Sequence, residues 1–370
     1  MSIPKSQLQY QLVRQPKGFS LQLREGAPIL PPGPNEALVQ VRASSLNRRD
    51  IGIQKGVYPV GPRETLVPLS DGAGEVVAVG PGTTRVKPGD RVAATFFQSW
   101  AAGRPTAKTG PSALGGALDG MLAQYVTLAE EGLVQVPAHL SFEDAAALPC
   151  AAVTAWSGLV ARGRMQAGDI VLLQGTGGVS VFGLQLAAAA GAKPYITSSS
   201  DEKLARARTL GAVGTINYKA TPEWGKALLE LTGGVGSHQT LEVGGSGTLA
   251  QSLAAVGQGG HIALIGGLSG FGGDIPAGSL VGRNASVTGI TVGSRADSHR
   301  FINEVQVLAS IDHDHIVSYR GSGDDRGQLY YVMRLMRGAS LAKFLENRGE
   351  LLDPVDAARL MIQIAGAVQH

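Results

Sequence analysis

Leu172-Leu-Gln-Gly175-Thr-Gly177-Gly178-Val-Ser180 closes the apolar run that starts at Asp169 and opens a helical stretch reaching Ala190. A strand, a glycine turn and a helix in direct succession are the context in which a dinucleotide fingerprint has meaning. Gly175 permits the tight turn and Gly177 lets backbone amides approach a pyrophosphate. The helix N-terminus brings partial positive charge to the same point. Ser180 stands where a third glycine is usual, and a small side chain there still allows the helix to pack on the strand. The expected contacts are Gly175, Thr176, Gly177, Gly178, Val179 and Ser180; the competing reading is an ordinary glycine-rich turn.

The next strand, Tyr195-Ile-Thr197, runs into Ser198-Ser199-Ser200-Asp201-Glu-Lys203. A nicotinamide cofactor with a free 2′-hydroxyl calls for a carboxylate at this strand end. Three hydroxyls and a lysine suit a 2′-phosphate better, so NADP is expected and NAD is the second choice. Asp201 could turn in towards a ribose or cap the helix from Glu202 to Leu210. Further strands near 213–217, 239–243 and 261–265 alternate with helical stretches, which argues for a doubly wound parallel sheet in an α/β fold.

Composition narrows the class. Glycine supplies 52 of 370 residues without a Gly-X-Y period, hydrophobic residues 44% and charged ones 16%, so a cored globular protein is expected and a collagen-like or disordered one is excluded. A net charge of +3 with scattered basic residues gives no footprint for nucleic acid. The single cysteine rules out an intrachain disulfide and a four-cysteine zinc site. The start lacks a signal-peptide core, and Ala145–Ala161 is too short and too rich in alanine for a membrane span. A cytoplasmic enzyme acting on a small molecule is expected, alone or as a homo-oligomer.

Three blocks follow from texture. Residues 1–150 hold most of the prolines and short alternating runs such as Ala37–Arg42 and Gly74–Gly80, the pattern of a small β barrel. Residues 151–297 carry the strand–helix alternation. From 298 on, only 6 glycines and 1 proline remain, while four of the seven histidines fall there. That break marks a third module.

Residues 1–297 resemble the zinc-free, quinone-reductase-like branch of the medium-chain dehydrogenase/reductase superfamily. The resemblance rests on Ser45-Leu-Asn-Arg-Arg-Asp50, Ser70-Asp-Gly-Ala-Gly-Glu-Val-Val77, Val86-Lys-Pro-Gly-Asp-Arg-Val92, Leu148-Pro-Cys-Ala-Ala-Val-Thr-Ala-Trp156, the glycine turn and Leu210-Gly-Ala212. It implies a GroES-like domain at 1–150 and a Rossmann domain at 151–297. The positions of two zinc ligands in the alcohol dehydrogenases of the superfamily hold Asn47 and Ser70, and only Cys150 keeps a ligand type. Catalytic zinc needs three protein ligands, so no metal is expected. The resemblance then implies hydride transfer to an enone, a quinone or a carbonyl-type small molecule. Asn47 and Tyr58 would donate to the developing oxyanion, with Thr154 beside the nicotinamide. Asn47 could instead cap a helix, and Tyr58 could be a half-buried strand residue. Cofactor contacts are also expected at Tyr218, Val243, Gly244, Gly245, Ile265, Gly266, Val292 and Gly293.

Residues 298–370 resemble part of a bacterial serine/threonine protein kinase, an α+β fragment. Phe301, Glu304, Val305 and Leu308 share a helical face, Met333–Gly338 would be the hinge, and Asp353-Pro354 starts a helix. The glycine-rich loop, its lysine and the H-R-D and D-F-G motifs are absent, so phosphoryl transfer is not expected. An alternative reading is a chimeric or truncated chain with an incomplete oxidoreductase and a non-catalytic interaction segment.

Overall fold

A computed structural model describes residues 3–272, 274–310, 319–325 and 328–333, with side chains through residue 305. The chain forms two compact units, Met1–His299 and Arg300–His370.

In the first unit, β1 (Ser6–Arg14), β2 (Phe19–Pro28), β3 (Glu36–Ser45), α1 (Arg48–Gln54), β4 (Thr65–Leu66), β5 (Asp71–Val79), β6 (Arg91–Ala94), β7 (Tyr125–Ala129) and β8 (Leu133–Gln135) build the β domain. They form a sheet of order β7-β3-β5-β6-β8 and a smaller one of order β2-β1-β4. β3 pairs antiparallel with β5, Ala37 opposite Val79. Ala37, Val39, Val76, Val92 and Met121 form its core, as the alternation of apolar residues in these strands requires. The hairpin β1–β2 was not anticipated from the sequence.

A short helix α2 (Phe142–Ala146) and the helical stretch around α3 (Val153–Trp156) carry the chain into the second domain. The stretch is continuous because π-helical turns at Leu148–Ala152 and Ser157–Arg162 flank α3. Then β9 (Ile170–Leu173), α4 (Gly178–Ala189), β10 (Lys193–Ser198), α5 (Asp201–Thr209), β11 (Gly214–Asn217), α6 (Trp224–Leu231), β12 (Ser237–Glu242), α7 (Leu249–Ala255), β13 (Val256–Leu264), α8 (Ala277–Val281) and β14 (Ser286–Gly289) follow. The sheet is parallel throughout, in the order β11-β10-β9-β12-β13-β14. This is the doubly wound Rossmann order, whose direction of winding reverses between β9 and β12. All four residues of β9 are buried, as a strand covered on both faces must be. Leu173, Leu184, Ile196 and Leu241 are completely buried in one cluster, each contributing roughly 1.5–3 kcal/mol.

Helix α4 lies close on the sheet at Gly183, where an added Cβ would sit 2.7 Å from Leu241 and 2.9 Å from Leu173. The close helix–strand approach expected at Ser180 is therefore made one turn later.

Helix α9 (Arg295–Ser310) crosses the 297/298 boundary drawn from composition. Phe301 and Ile302 are buried and Glu304 is exposed, so this carboxylate reaches water instead of sitting inside the apolar stripe. In the second unit β15 (Tyr319–Asp325) and β16 (Gln328–Met333) pair antiparallel. The expectations for 311–318 and 334–370, hinge and Asp353 helix included, lie outside the described residues. Among the described residues no helix is long and apolar enough to cross a membrane.

Candidate active site

The glycine turn has the conformations its sequence demands. Gly175 adopts φ +70°, a left-handed geometry that glycine alone takes without strain. Gly177 is the N-cap of α4 at φ −83°, and no side chain caps the helix. An added Cβ at Gly177 would meet nothing within 4 Å, while at Gly178 it would touch Ala151 at 3.2 Å. The turn is thus backed by protein on one side and open on the other, with helix N–H groups facing the opening. Its neighbours are the end of β10: the Gly175 N–H donates to Thr197 Oγ1 at 3.1 Å, and the Thr176 and Ser198 hydroxyls lie 3.3 Å apart. An open, uncapped glycine turn of this kind fits a dinucleotide pyrophosphate.

Two of the expected cofactor contacts also serve the fold. Ser180 is 1% exposed and donates its hydroxyl to Gln174 O at 2.6 Å, so its side chain locks turn to helix and does not face the opening. Ser200 caps α5 by accepting from the Lys203 N–H at its hydroxyl oxygen. Asp201 does not cap; it accepts from Asn217 Nδ2 at 2.8 Å. Ser199 is partly exposed, and Lys203 and Tyr218 are exposed, on the same strand-end surface. Tyr218 is tied there by its N–H to Ser198 O at 3.1 Å.

The remaining segments converge on the C-terminal edge of the sheet. Val243-Gly244-Gly245 follows β12 and Ile265-Gly266 follows β13. Gly244 and Gly245 give their N–H groups to Glu242 Oε1 at 2.8 and 3.0 Å, so they shape the crevice without offering those donors to a ligand. Val292 holds φ +43° although it is β-branched, a strained conformation of the kind found at functional sites. It lets Gly293 press on α3, where an added Cβ would lie 2.9 Å from Val153 Cγ1. Thr154, 2% exposed, sits on that helix. Val292 and Val153 share a cluster with Phe96, Phe97, Trp100 and Cys150, which joins the two domains through an apolar and aromatic wall.

On the β-domain side, Asn47 is the N-cap of α1, and its own N–H donates to Asp50 Oδ2 at 2.7 Å. Its Nδ2 is buried, and the amide acts on the Asp71 carboxylate. Tyr58 is 39% exposed, in the loop after α1 rather than in a strand. Arg49, not anticipated, places its guanidinium 4.5 Å from the Phe96 ring and 5.4 Å from the Tyr58 ring, and donates to Leu114 O at 2.7 Å. The sequence offered no signal for this stacking, because Phe96 and Leu114 lie far along the chain.

Whether zinc fits is decided by the donors. Ser70 is fully buried and gives its hydroxyl to Asp71 Oδ1 at 2.6 Å; Asp71 Oδ2 takes the Cys150 N–H at 3.0 Å. Burial, reinforced by the Asp71 charge, pushes the Cys150 thiol well up. Among the described residues no three His, Cys, Asp or Glu side chains gather as a metal-binding group. An amide, a committed hydroxyl and one thiol do not fit a catalytic zinc.

Burial raises the Asp71 carboxyl to about 6, against the opposing pull of Ser70, the nearby Asn47 amide and the Cys150 N–H. An acid raised on folding stabilises the protein below its unfolded value near 4, and that stabilisation is lost as pH rises through about 6. A shift of roughly 2 units corresponds to about 3 kcal/mol. We expect the wild type to lose that much stability between pH 4 and 6 relative to Asp71→Asn. Urea unfolding of both across that range checks it, and parallel profiles would show that Asp71 is not the group responsible.

Comparison with known proteins agrees with the fold. Residues 33–138 match the alcohol dehydrogenase GroES-like domain and residues 178–310 the zinc-binding dehydrogenase domain. A zinc-type alcohol dehydrogenase-like protein of Schizosaccharomyces pombe is 48% identical over 267 residues, covering 70% of this chain and 77% of that one. A quinone oxidoreductase of Pseudomonas aeruginosa is 35% identical, covering 72% and 76%. The crystal structure of a Pseudomonas syringae quinone oxidoreductase superposes with a TM-score of 0.69 at 30% identity, covering 82% of this chain and 88% of that one. An NAD-dependent alcohol dehydrogenase superposes with a TM-score of 0.71 at 33% identity, covering 81% and 89%. The chain belongs to the medium-chain dehydrogenase/reductase superfamily and is an oxidoreductase of the alcohol dehydrogenase and quinone oxidoreductase kind. Residues 286–370 also match a protein tyrosine and serine/threonine kinase model, which overlaps β14 and α9 of the dehydrogenase match.

Proposed function

We propose that the protein is an NADP-dependent, metal-free reductase of enones, quinones or related carbonyl compounds. The observation that carries this reading is the open, uncapped glycine turn at the C-terminal edge of the parallel sheet, where an added Cβ at Gly177 would meet nothing within 4 Å. The bound nicotinamide would supply a hydride. The turn 175–178 and the α4 N-terminus hold the pyrophosphate. Ser199 and Lys203 receive the 2′-phosphate, with NAD the weaker alternative. Asn47 donates to the substrate oxygen as negative charge develops there, and Tyr58 is a second donor at the exposed rim. Phe96, Trp100, Val153 and Val292 exclude water from the reacting face.

Cofactor choice is tested by a single substitution. Ser199→Asp puts a carboxylate where the 2′-phosphate would lie, and two like charges repel. The ratio of NADPH to NADH dissociation constants is expected to shift towards NADH by about tenfold or more, roughly 1.4 kcal/mol. Tighter NADH binding by the wild type would overturn the choice of NADP.

Metal content is tested directly. After dialysis, elemental analysis is expected to find well under one zinc per chain. Near-stoichiometric zinc that disappears in Cys150→Ala would refute the metal-free reading.

Residues 298–370 are read as a kinase-like, non-catalytic segment, since they contain neither H-R-D nor D-F-G. No phosphate transfer from ATP is expected of them.

A further inference from the structure

Gln174 follows β9 and Glu242 ends β12, the two adjacent strands at which the winding of the sheet reverses. Glu242 is completely buried. Its carboxylate accepts from five neutral donors. Oε2 takes Gln174 Nε2 at 2.5 Å and Ser252 Oγ at 2.5 Å. Oε1 takes Thr248 Oγ1 at 2.6 Å and the N–H groups of Gly244 and Gly245 at 2.8 and 3.0 Å. Its carbonyl oxygen takes the Ile265 N–H at 2.8 Å and that of Gly266 at 3.4 Å. Gln174 completes the network: its Oε1 accepts from the Val243 and Gly244 N–H groups at 3.2 and 3.3 Å, and its carbonyl from Ser180.

We propose that Glu242 is a positioning residue for cofactor binding, holding the turn 175–178, the loop 243–245 and the loop 265–266 at a fixed spacing across the switch point. This rests on the nicotinamide reading of the site. Five donors converging on one group require an acceptor-only side chain, and carboxylate is the one that supplies it. An amide of the same shape would set its own NH2 against hydroxyl and N–H donors. A buried donor left facing a donor has no compensation, so one of the loops must move. Because all three loops border the crevice, the displacement falls on the ligand site. General cohesion alone would instead show in global stability.

The test uses the full chain, NADPH as the probe, and dissociation constants from fluorescence titration. Glu242→Gln is expected to raise the NADPH dissociation constant about tenfold or more, while kcat at saturating NADPH stays within about threefold. The swap Gln174→Glu with Glu242→Gln restores one acceptor-only and one amide partner, and is expected to recover a substantial part of the loss. Wild-type affinity in a folded Glu242→Gln, or a swap that binds no better than the single variant, overturns the proposal. Should Glu242→Gln not fold, Thr248→Ala decides: it removes one donor at the loop, and affinity weakened about threefold supports the proposal while unchanged affinity overturns it. Failure of the wild type to bind either reduced cofactor would sink the site reading together with this inference, whereas the variant outcomes bear on Glu242 alone.

Discussion

Gly177→Val is expected to weaken NADPH binding by at least about a hundredfold while leaving the melting temperature nearly unchanged. The reason lies in what surrounds that residue. Its φ of −83° is open to any amino acid, and a Cβ there would meet no protein atom within 4 Å. The fold therefore has little to lose. The ligand loses much, because the valine branches would occupy the place from which a pyrophosphate must approach the α4 N–H groups. Losing several charge-assisted hydrogen bonds there, at 1.5–3 kcal/mol each for bonds to charged groups, gives the expected magnitude, about 3 kcal/mol or more. Titration with NADPH, paired with thermal unfolding, reads both quantities. Undiminished affinity would show that the opening at Gly177 does not hold the phosphates. Gly175 is an unsuitable site for the same experiment, since φ +70° would strain any replacement and confuse lost binding with lost folding.

The second large effect concerns Asn47. Removing a preorganised donor to a developing oxyanion typically costs 10²–10³ in kcat, about 2.7–4 kcal/mol. Asn47→Ala is expected to fall in that range with 1,4-benzoquinone or a simple enone, without a change in NADPH affinity. Asn47 is also the N-cap of α1, and the substitution would cost roughly 1 kcal/mol of stability. A control melt separates the two effects. Tyr58→Phe should cost less, because an exposed hydroxyl competes with water. If Asn47→Ala turns over as fast as the wild type, the oxyanion donor lies elsewhere, and Arg49, stacked on Phe96 with its Nε buried and unpartnered, is the next group to test.

What the sequence discloses about this molecule depends on how local the cause is. The strands β9 and β10, the helices α4 and α5 and the turn between Gly175 and Gly177 are set by short-range patterns, and they stand within a residue or two of where the pattern puts them. The helix–sheet approach is less local. Ser180 occupies the place where it was expected, yet Gly183 makes it, since the contact is decided by where Leu241 and Leu173 project. Glu242 is less legible still: its partners Gln174, Gly244, Gly245, Thr248 and Ser252 share no spacing, and only the sheet order brings β9 beside β12. The hairpin β1–β2 went unread although Gln9 and Gln11 alternate with Leu8, Tyr10 and Leu12, because its pairing, Leu12 opposite Leu21, is set by register across the turn. Asn47 was legible as a residue of interest through resemblance alone. That its amide is buried beside the Asp71 carboxylate is a tertiary fact.

The central claim is hydride transfer from NADPH without a metal. It is tested most directly by mixing chelator-treated full-length protein, shown to be free of zinc, with NADPH deuterated at the transferring position and a simple enone, then locating the label in the product. The account predicts oxidation of NADPH at an unchanged rate after chelation, with deuterium at the β-carbon. Activity that vanishes with the chelator and returns on adding zinc, or a product carrying no deuterium, would contradict it.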